Sequence, residues 1–206
     1  MSRKENIQDL TEIKSIMNKS TRFISLSGVS GILTGTYALI GAVVVNFLIK
    51  SYQFGDSSIA LLPLSYFEYL LMAVALTILI LSIVTAYILT KKKAKLNNEQ
   101  IWNTTSKRLL NSFLIPLITG GLFCVILYQY GLIGLIAPTT LVFYGLACIN
   151  SSKYTLGDIY YLGIVNIVIG LIATQFIGYE LYFWGLGFGI FHIIYGILMY
   201  KKQESK

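Results

Sequence analysis

Hydrophobic positions in this chain are gathered into long stretches separated by short polar segments. Each stretch approaches the roughly 20 residues that a helix needs to cross about 30 Å of hydrocarbon. Apolar residues occupy both odd and even positions within a stretch, whereas the strands of an outer-membrane barrel alternate apolar and polar residues. The pattern therefore predicts six membrane-spanning helices, at 23–49, 67–89, 109–128, 132–149, 156–177 and 181–200.

Composition supports this prediction and excludes several other classes of protein. Of the 206 residues, 55% are hydrophobic and only 12% are charged. A disordered chain needs more charge, and collagens and coiled coils need strict periodicity, so none of these classes fits. We therefore expect an all-α fold, a polytopic membrane helical bundle with six transmembrane helices.

The basic residues predict which way the bundle is oriented. Fifteen of the sixteen lysines and arginines lie before the first stretch, in the second or fourth loop, or after the last stretch. Lys50 is the exception. Because Lys and Arg near span ends are retained in the cytoplasm, both termini are predicted to be cytoplasmic. The net charge of +7 is thus a topology signal that favours contact with anionic lipids, and we expect no nucleic-acid binding.

The chain is predicted to consist of three parts. Residues 1–22 have apolar positions at helical spacing, which predicts a cytoplasmic amphipathic segment. It could lie at the lipid headgroups or dock a soluble protein partner. Residues 23–200 form the predicted six-helix transmembrane domain, and residues 201–206 form a cytoplasmic tail.

Small residues recur at helical spacing in three of the six stretches. Such stripes let helix backbones approach closely inside a membrane. They are equally suited to packing within one chain and to a homo-oligomer. The glycines predicted to pack are Gly28, Gly31 and Gly35 in the first stretch, Gly163 and Gly170 in the fifth, and Gly185, Gly189 and Gly196 in the sixth.

The single histidine, His192, is the most informative polar residue. On a regular helix it shares a face with three glycines, so it should point at another helix and needs a hydrogen-bond partner there. The candidate buried polar site comprises His192 with Asn166, Thr77 and Ser82 as possible partners. His192 could be a structural contact, a proton relay, a haem ligand or a ligand contact.

Known catalytic and metal-binding patterns are missing from the sequence. Zinc spacing cannot be assembled around one histidine without a neighbouring cysteine or carboxylate cluster. Bis-histidine haem would require His192 from two copies of the chain, which disfavours that alternative. We expect no catalytic residue, no metal and no cofactor.

Three segments carry a family resemblance: FISLSGVSGILTGTYALIGA from Phe23, FYGLACINSSKYTLGDIYYLG from Phe143 and GYELYFWGLGFGIFHIIYG from Gly178. Together they resemble a group of uncharacterised six-span bacterial inner-membrane proteins. This resemblance implies a multi-pass protein of the bacterial cytoplasmic (inner) membrane. It implies no activity and no catalytic residue.

Two functional hypotheses follow from these observations. The first is a non-enzymatic integral membrane protein, a compact bundle that binds a partner, a lipid or a small apolar ligand and has a regulatory role. The second is a small-solute transporter or permease, in which the span prolines Pro116 and Pro138, together with His192 and Asn166, line a path. A polar cavity across the middle of the bundle would distinguish transport from binding.

Overall fold

A computed structural model of the chain describes residues 27–55, 58–97, 100–155 and 158–204. Every regular element in these residues is helical, which confirms the predicted all-α bundle. The predicted amphipathic segment 1–22 and the last two residues of the predicted tail lie outside the described residues. The helices are α1 (Gly28–Phe54), α2 (Leu64–Leu96), α3 (Thr104–Gln129), α4 (Ile136–Ser152), α5 (Ile159–Ala173) and α6, which consists of Glu180–Trp184, a π-helical stretch Gly185–Ile190 and Phe191–Glu204.

Five helices in the described part of the chain are long and apolar enough to cross a membrane. The exception is α5, whose 15 residues measure about 22 Å along the axis. Its predicted stretch, 156–177, is longer. After Ala173 the backbone tightens, with bonds three residues apart from Gln175 N–H to Ile172 O and from Phe176 N–H to Ala173 O. The regular helix therefore stops before its apolar sequence does.

Glycines with left-handed backbone angles lie in the turns at one end of the bundle. Gly55 follows α1 with φ 73°, Gly131 follows α3 with φ 72°, and Gly178 precedes α6 with φ 96°. These left-handed angles are costly for residues that carry a Cβ. Gly55 and Gly131 thus follow the last turns of α1 and α3, and Gly178 lies in the turn that leads into α6.

The bundle is built from two packed groups of helices joined by α6. In one group, α1 packs against α2 and α6; in the other, α4 packs against α3 and α5. The first half of α6 also contacts α4 and α5. Hence α6 is the element that both groups share.

Close contact between α1 and α6 depends on glycine. A Cβ added to Gly28 would stand 2.7 Å from the Gly196 carbonyl oxygen, and one added to Gly35 would stand 2.7 Å from the Gly189 carbonyl oxygen. Gly31 faces Gly196 in the same way, and Gly185 faces Ala42. The glycine stripe of the first predicted span therefore packs against the last helix of the same chain.

The close contact between α4 and α5 also depends on glycine. A Cβ on Gly163 would stand 2.7 Å from the Gly145 carbonyl oxygen, and one on Gly170 would stand 2.9 Å from the Pro138 carbonyl oxygen. In lipid, such backbone proximity replaces the hydrophobic drive that packs helices in water.

Contacts between chain segments define two ends of the bundle. At one end Gly28, at the start of α1, lies against Tyr200 of α6, and Asp158, before α5, pairs with Lys202 at 3.2 Å. At the opposite end Tyr128 donates a 2.7 Å hydrogen bond to Glu68, and Gly134 lies beside Glu180. The described start of α1 and the end of α6 therefore share one end, as an even number of spans requires.

Candidate functional site

The π-helical stretch Gly185–Ile190 determines where His192 lies. Backbone bonding here spans five residues, as between Phe191 N–H and Leu186 O, and widens the turn by one residue relative to an α-helix. Short π-helical insertions of this kind occur frequently at functional sites. The His192 ring forms a hydrogen bond with a backbone group of this turn, because its Nδ1 lies 3.2 Å from the Gly187 carbonyl oxygen.

A hydroxyl on another helix completes the hydrogen bonding of His192. Its Nε2 is 2.7 Å from the Tyr144 hydroxyl on α4. Since the Gly187 carbonyl can only accept, Nδ1 carries a hydrogen, and Nε2 of a neutral ring accepts from Tyr144. Both ring nitrogens are thus engaged, and only 7% of the residue is exposed.

Aromatic rings surround this hydrogen-bonded pair. Phe188 stacks on His192 with ring centroids 5.9 Å apart and packs on Tyr144 at 5.0 Å. Trp184 continues the cluster at 5.1 Å from Phe188, and Phe113 of α3 meets Tyr144 edge-on at 5.8 Å. This shell is apolar, so the Tyr144–His192 bond lies in a region where an unmade hydrogen bond is costly.

Asn166 of α5 lies beside the same π-helical stretch, next to Gly187, and is completely buried, at 0% exposure. Its Nδ2 donates to the Leu162 carbonyl at 2.9 Å within α5. Its Oδ1 has no hydrogen-bond partner among the described residues and points toward Gly187, where an added Cβ would stand 2.8 Å away. An unpaired buried amide oxygen costs about 1 to 3 kcal/mol.

The structure brings some of the predicted site residues together and separates others. His192 and Asn166 both flank Gly187, but they are not bonded to each other. Thr77 is exposed on α2 and donates to Ala73 O of its own helix at 2.8 Å. Ser82 is also on α2, a helix whose main contacts are with α1. The partners of His192 are therefore Tyr144 and Gly187, rather than Asn166, Thr77 or Ser82.

The expectation that His192 and three glycines form one face also needs correction. Gly185, Gly189 and Gly196 face α1, whereas the His192 side chain reaches α4. The π-helical stretch separates Gly185 from His192, so α-helical spacing does not predict their relative direction, because the extra residue rotates everything that follows. His192 and Gly196 both follow the stretch; there the His192 backbone faces α1 beside Gly196, and its side chain turns toward α4.

Sequence reasoning missed Tyr144 because nothing distinguishes it from the other tyrosines. The chain has 15 of them, and Tyr144 is 48 residues from His192. The glycine-rich segment GLGFG lies shortly before the only histidine. It was the one sequence feature that could have indicated an irregular helix at this point.

A separate apolar groove lies between α1 and α2. Its two polar groups are already satisfied within the protein, because Tyr37 bonds with Thr85 at 3.4 Å and Thr77 bonds to its own helix. Neither His192 nor Asn166 lines it. The lining residues are Tyr37, Ile40, Gly41, Val44, Ala73, Val74, Thr77, Ile78 and Leu81.

Potential metal ligands are scattered in the described part of the chain, where no three His, Cys, Asp or Glu residues form a group. Among the described residues, Asp158 and Glu68 lie at opposite ends of the bundle, where Asp158 is paired to Lys202 and Glu68 accepts a hydrogen bond from Tyr128. Cys148 is buried and Cys124 is half-buried, and both are free thiols.

Comparison of the chain with protein-family models, with curated proteins and with solved structures finds no match.

Proposed function

We propose that this chain is a non-enzymatic, multi-pass protein of the bacterial cytoplasmic membrane that binds the acyl chain of a lipid in the groove between α1 and α2. The long apolar helices support the membrane setting. The bacterial inner membrane is inferred from the sequence resemblance. Cytoplasmic termini are supported by the shared end of α1 and α6, where the exposed Lys201 and Lys202 also lie.

The lining of the groove is the observation that carries the proposal. Ile40, Val44, Ile78 and Leu81 present branched or extended apolar side chains. Because the hydroxyls of Tyr37 and Thr77 are bonded internally, the groove offers no free polar group for a hydrophilic solute. An acyl chain is apolar, so it can pack against this lining without leaving any polar atom unpaired.

The groove can be tested by filling it. Ala73 lines the groove, whereas Ala75 is exposed on another side of α2, so Ala73→Phe and Ala75→Phe form a matched pair. Purified protein in bilayers containing a photoreactive-acyl lipid would be irradiated, and the crosslinks mapped. We expect crosslinks to concentrate on groove residues and to be lost in Ala73→Phe but kept in Ala75→Phe. Crosslinks spread evenly around α2, with equal yields in both variants, would contradict specific binding.

Anionic lipids are proposed as partners at the cytoplasmic end. Lys91, Lys92 and Lys95 are exposed at the end of α2, and Lys107 and Arg108 are exposed at the start of α3. Lysines and arginines near a bilayer surface each gain about 1 kcal/mol from anionic lipid. Replacing Lys91, Lys92 and Lys95 by Gln should reduce co-purified anionic lipid relative to zwitterionic lipid in native mass spectrometry.

A small-solute transporter is the second candidate, and one observation favours it: His192, Tyr144 and Asn166 place polar groups in the middle of the bundle. Cysteine accessibility separates the two candidates. His192→Cys would be made in a protein lacking Cys124 and Cys148 and treated with a water-soluble thiol reagent. Rapid labelling favours a solute path, and protection favours a packed binding bundle.

A further inference from the structure

The two helices that flank the apolar groove contact each other on either side of it along the membrane normal. Toward the start of α1, Tyr37 bonds with Thr85 of α2 at 3.4 Å. Toward its end, the rings of Tyr52 and Phe67 stack with centroids 4.1 Å apart and an interplanar angle of 11°. Phe67 is only 6% exposed, and Tyr52 also donates a hydrogen bond to the Leu62 carbonyl. The groove therefore lies between two contacts that hold α1 and α2 together.

The groove is centred halfway along both helices. Gly41, which lines it, is the central residue of α1 (Gly28–Phe54). Thr77, which also lines it, is the central residue of 64–90, the apolar part of α2 that precedes its lysines. Because both helices are long and apolar enough to cross a membrane, their centres lie near the middle of the hydrocarbon. The groove thus opens at the middle of the bilayer.

The groove is also short compared with the membrane. Its lining extends from Tyr37 to Val44 on α1 and from Ala73 to Leu81 on α2, which is about 10 to 12 Å at 1.5 Å per residue. The hydrocarbon core is about 30 Å thick, so the groove covers roughly its central third. Lipid headgroups lie outside this core and do not reach the groove.

The opening of the groove faces lipid, and its inner side is closed by protein. Ile40 and Leu81 of the lining are 58% and 48% exposed. On the inner side, Ile78 occupies the space that a Cβ on Gly41 would need, and Gly41 is buried. An occupant therefore enters from the bilayer, at a depth where the membrane offers only hydrocarbon.

We propose that the groove binds the methyl-terminal segment of a lipid acyl chain, and so distinguishes lipids by the ends of their chains rather than by their headgroups. This inference rests on the acyl-chain binding proposed above. Terminal segments of chains from both leaflets meet at the middle of the bilayer, which is the depth of the groove. Because the groove is centred on both helices, the inference holds for either orientation of the protein.

The length of the groove favours a chain end over a second copy of the protein. Helices that associate in membranes approach each other through close packing of their backbones and side chains. A partner helix lying against α1 and α2 would contact them over several turns, whereas the groove is about two turns long. A flexible hydrocarbon end fits a recess of this size without further contacts.

Two photoreactive lipids test the depth of the bound segment. They have the same headgroup and chain length, but one carries a diazirine at the methyl end of the chain and the other carries it next to the carboxyl carbon. Crosslinks to the groove residues Val74 and Ile78 would be compared with crosslinks to Leu76 and Leu79, which are exposed at the same depth of α2 and do not line the groove. Phe54, exposed at the end of α1, shows that the carboxyl-side probe reacts.

We expect the methyl-end probe to label the groove residues severalfold more than the reference residues Leu76 and Leu79. The carboxyl-side probe should label Phe54 and show no preference for the groove. Ala73→Phe should reduce groove labelling by the methyl-end probe to the level of the reference residues, without changing the labelling of those residues. Ala75→Phe should keep the wild-type pattern.

The possible failures are distinguishable. If the carboxyl-side probe labels the groove above the reference residues as strongly as the methyl-end probe does, acyl-chain binding stands but selection by the chain end is overturned. If the methyl-end probe labels groove and reference residues equally, acyl-chain binding itself fails, and this inference fails with it. Groove labelling below the reference level would show that a second copy of the chain covers the groove.

Discussion

At the scale of single residues, the Tyr144–His192 bond links α4 to α6. Hydrogen bonds between membrane helices contribute modestly to stability, because helices that separate within the membrane form other hydrogen bonds instead. A double-mutant cycle with Tyr144→Phe and His192→Leu isolates the pair. We expect a coupling energy of about 0.6 to 1.7 kcal/mol in the unfolding of detergent-solubilised protein.

The exposed Tyr161 provides the control for this cycle. Tyr161→Phe should be neutral, and its effect should add to that of His192→Leu without coupling. Strict additivity of Tyr144→Phe and His192→Leu would show that the 2.7 Å contact contributes nothing to stability.

A second prediction concerns two glycines of the same π-helical stretch. A Cβ on Gly187 would stand 2.5 Å from Leu141 Cδ2 and 2.8 Å from Asn166 Oδ1, whereas one on Gly185 would make an ordinary 3.4 Å contact with Ala42 Cβ. Gly187→Ala should therefore lower the melting temperature, with a cost of about 1 to 3 kcal/mol for overpacking. Gly185→Ala should leave it unchanged or raise it, and the reverse order of the two variants would contradict this geometry.

At the scale of helices, the α1–α6 contact determines whether the two ends of the chain pack together. Gly35→Leu places a side chain where the Gly189 carbonyl oxygen lies, and Gly31→Leu presses on Gly196. Both variants should melt earlier in detergent, by an amount typical of severe core overpacking, about 3 kcal/mol or less.

Gly121 of α3 is the matched control for these substitutions, since a Cβ there would find no atom within 4 Å. Gly121→Leu should melt like the wild-type protein. If Gly31→Leu and Gly35→Leu are equally harmless, α1 does not pack on α6 through its glycines.

At the scale of the whole molecule, the orientation of the bundle is open to a direct test. Alkaline phosphatase is active only outside the cytoplasm, so a fusion after Lys206 should be inactive and a fusion after Gln129, at the end of α3, should be active. Green fluorescent protein fused at the same two positions should show the opposite pattern. An active phosphatase after Lys206 would contradict cytoplasmic termini.

The sequence alone was sufficient to predict the helical class and, for the residues that the structure describes, the six main helices and most of their extents. Membrane insertion depends on the summed transfer free energy of about 20 consecutive residues, which is a local property that composition reveals. Helix ends were less predictable, as α5 shows, because its apolar stretch continues beyond Ala173 while the backbone bonding changes.

Tertiary structure decided the partners of His192 and the surroundings of Gly187. These depend on the rotation of one helix against another and on the extra residue per turn at Gly185–Ile190, neither of which is encoded in hydrophobic periodicity. Thr77 and Ser82 were chemically suitable partners, but α2 packs mainly on α1 and leaves them away from α6. Hydrophobicity thus determined which segments are helices, whereas close packing between distant segments determined which polar groups meet.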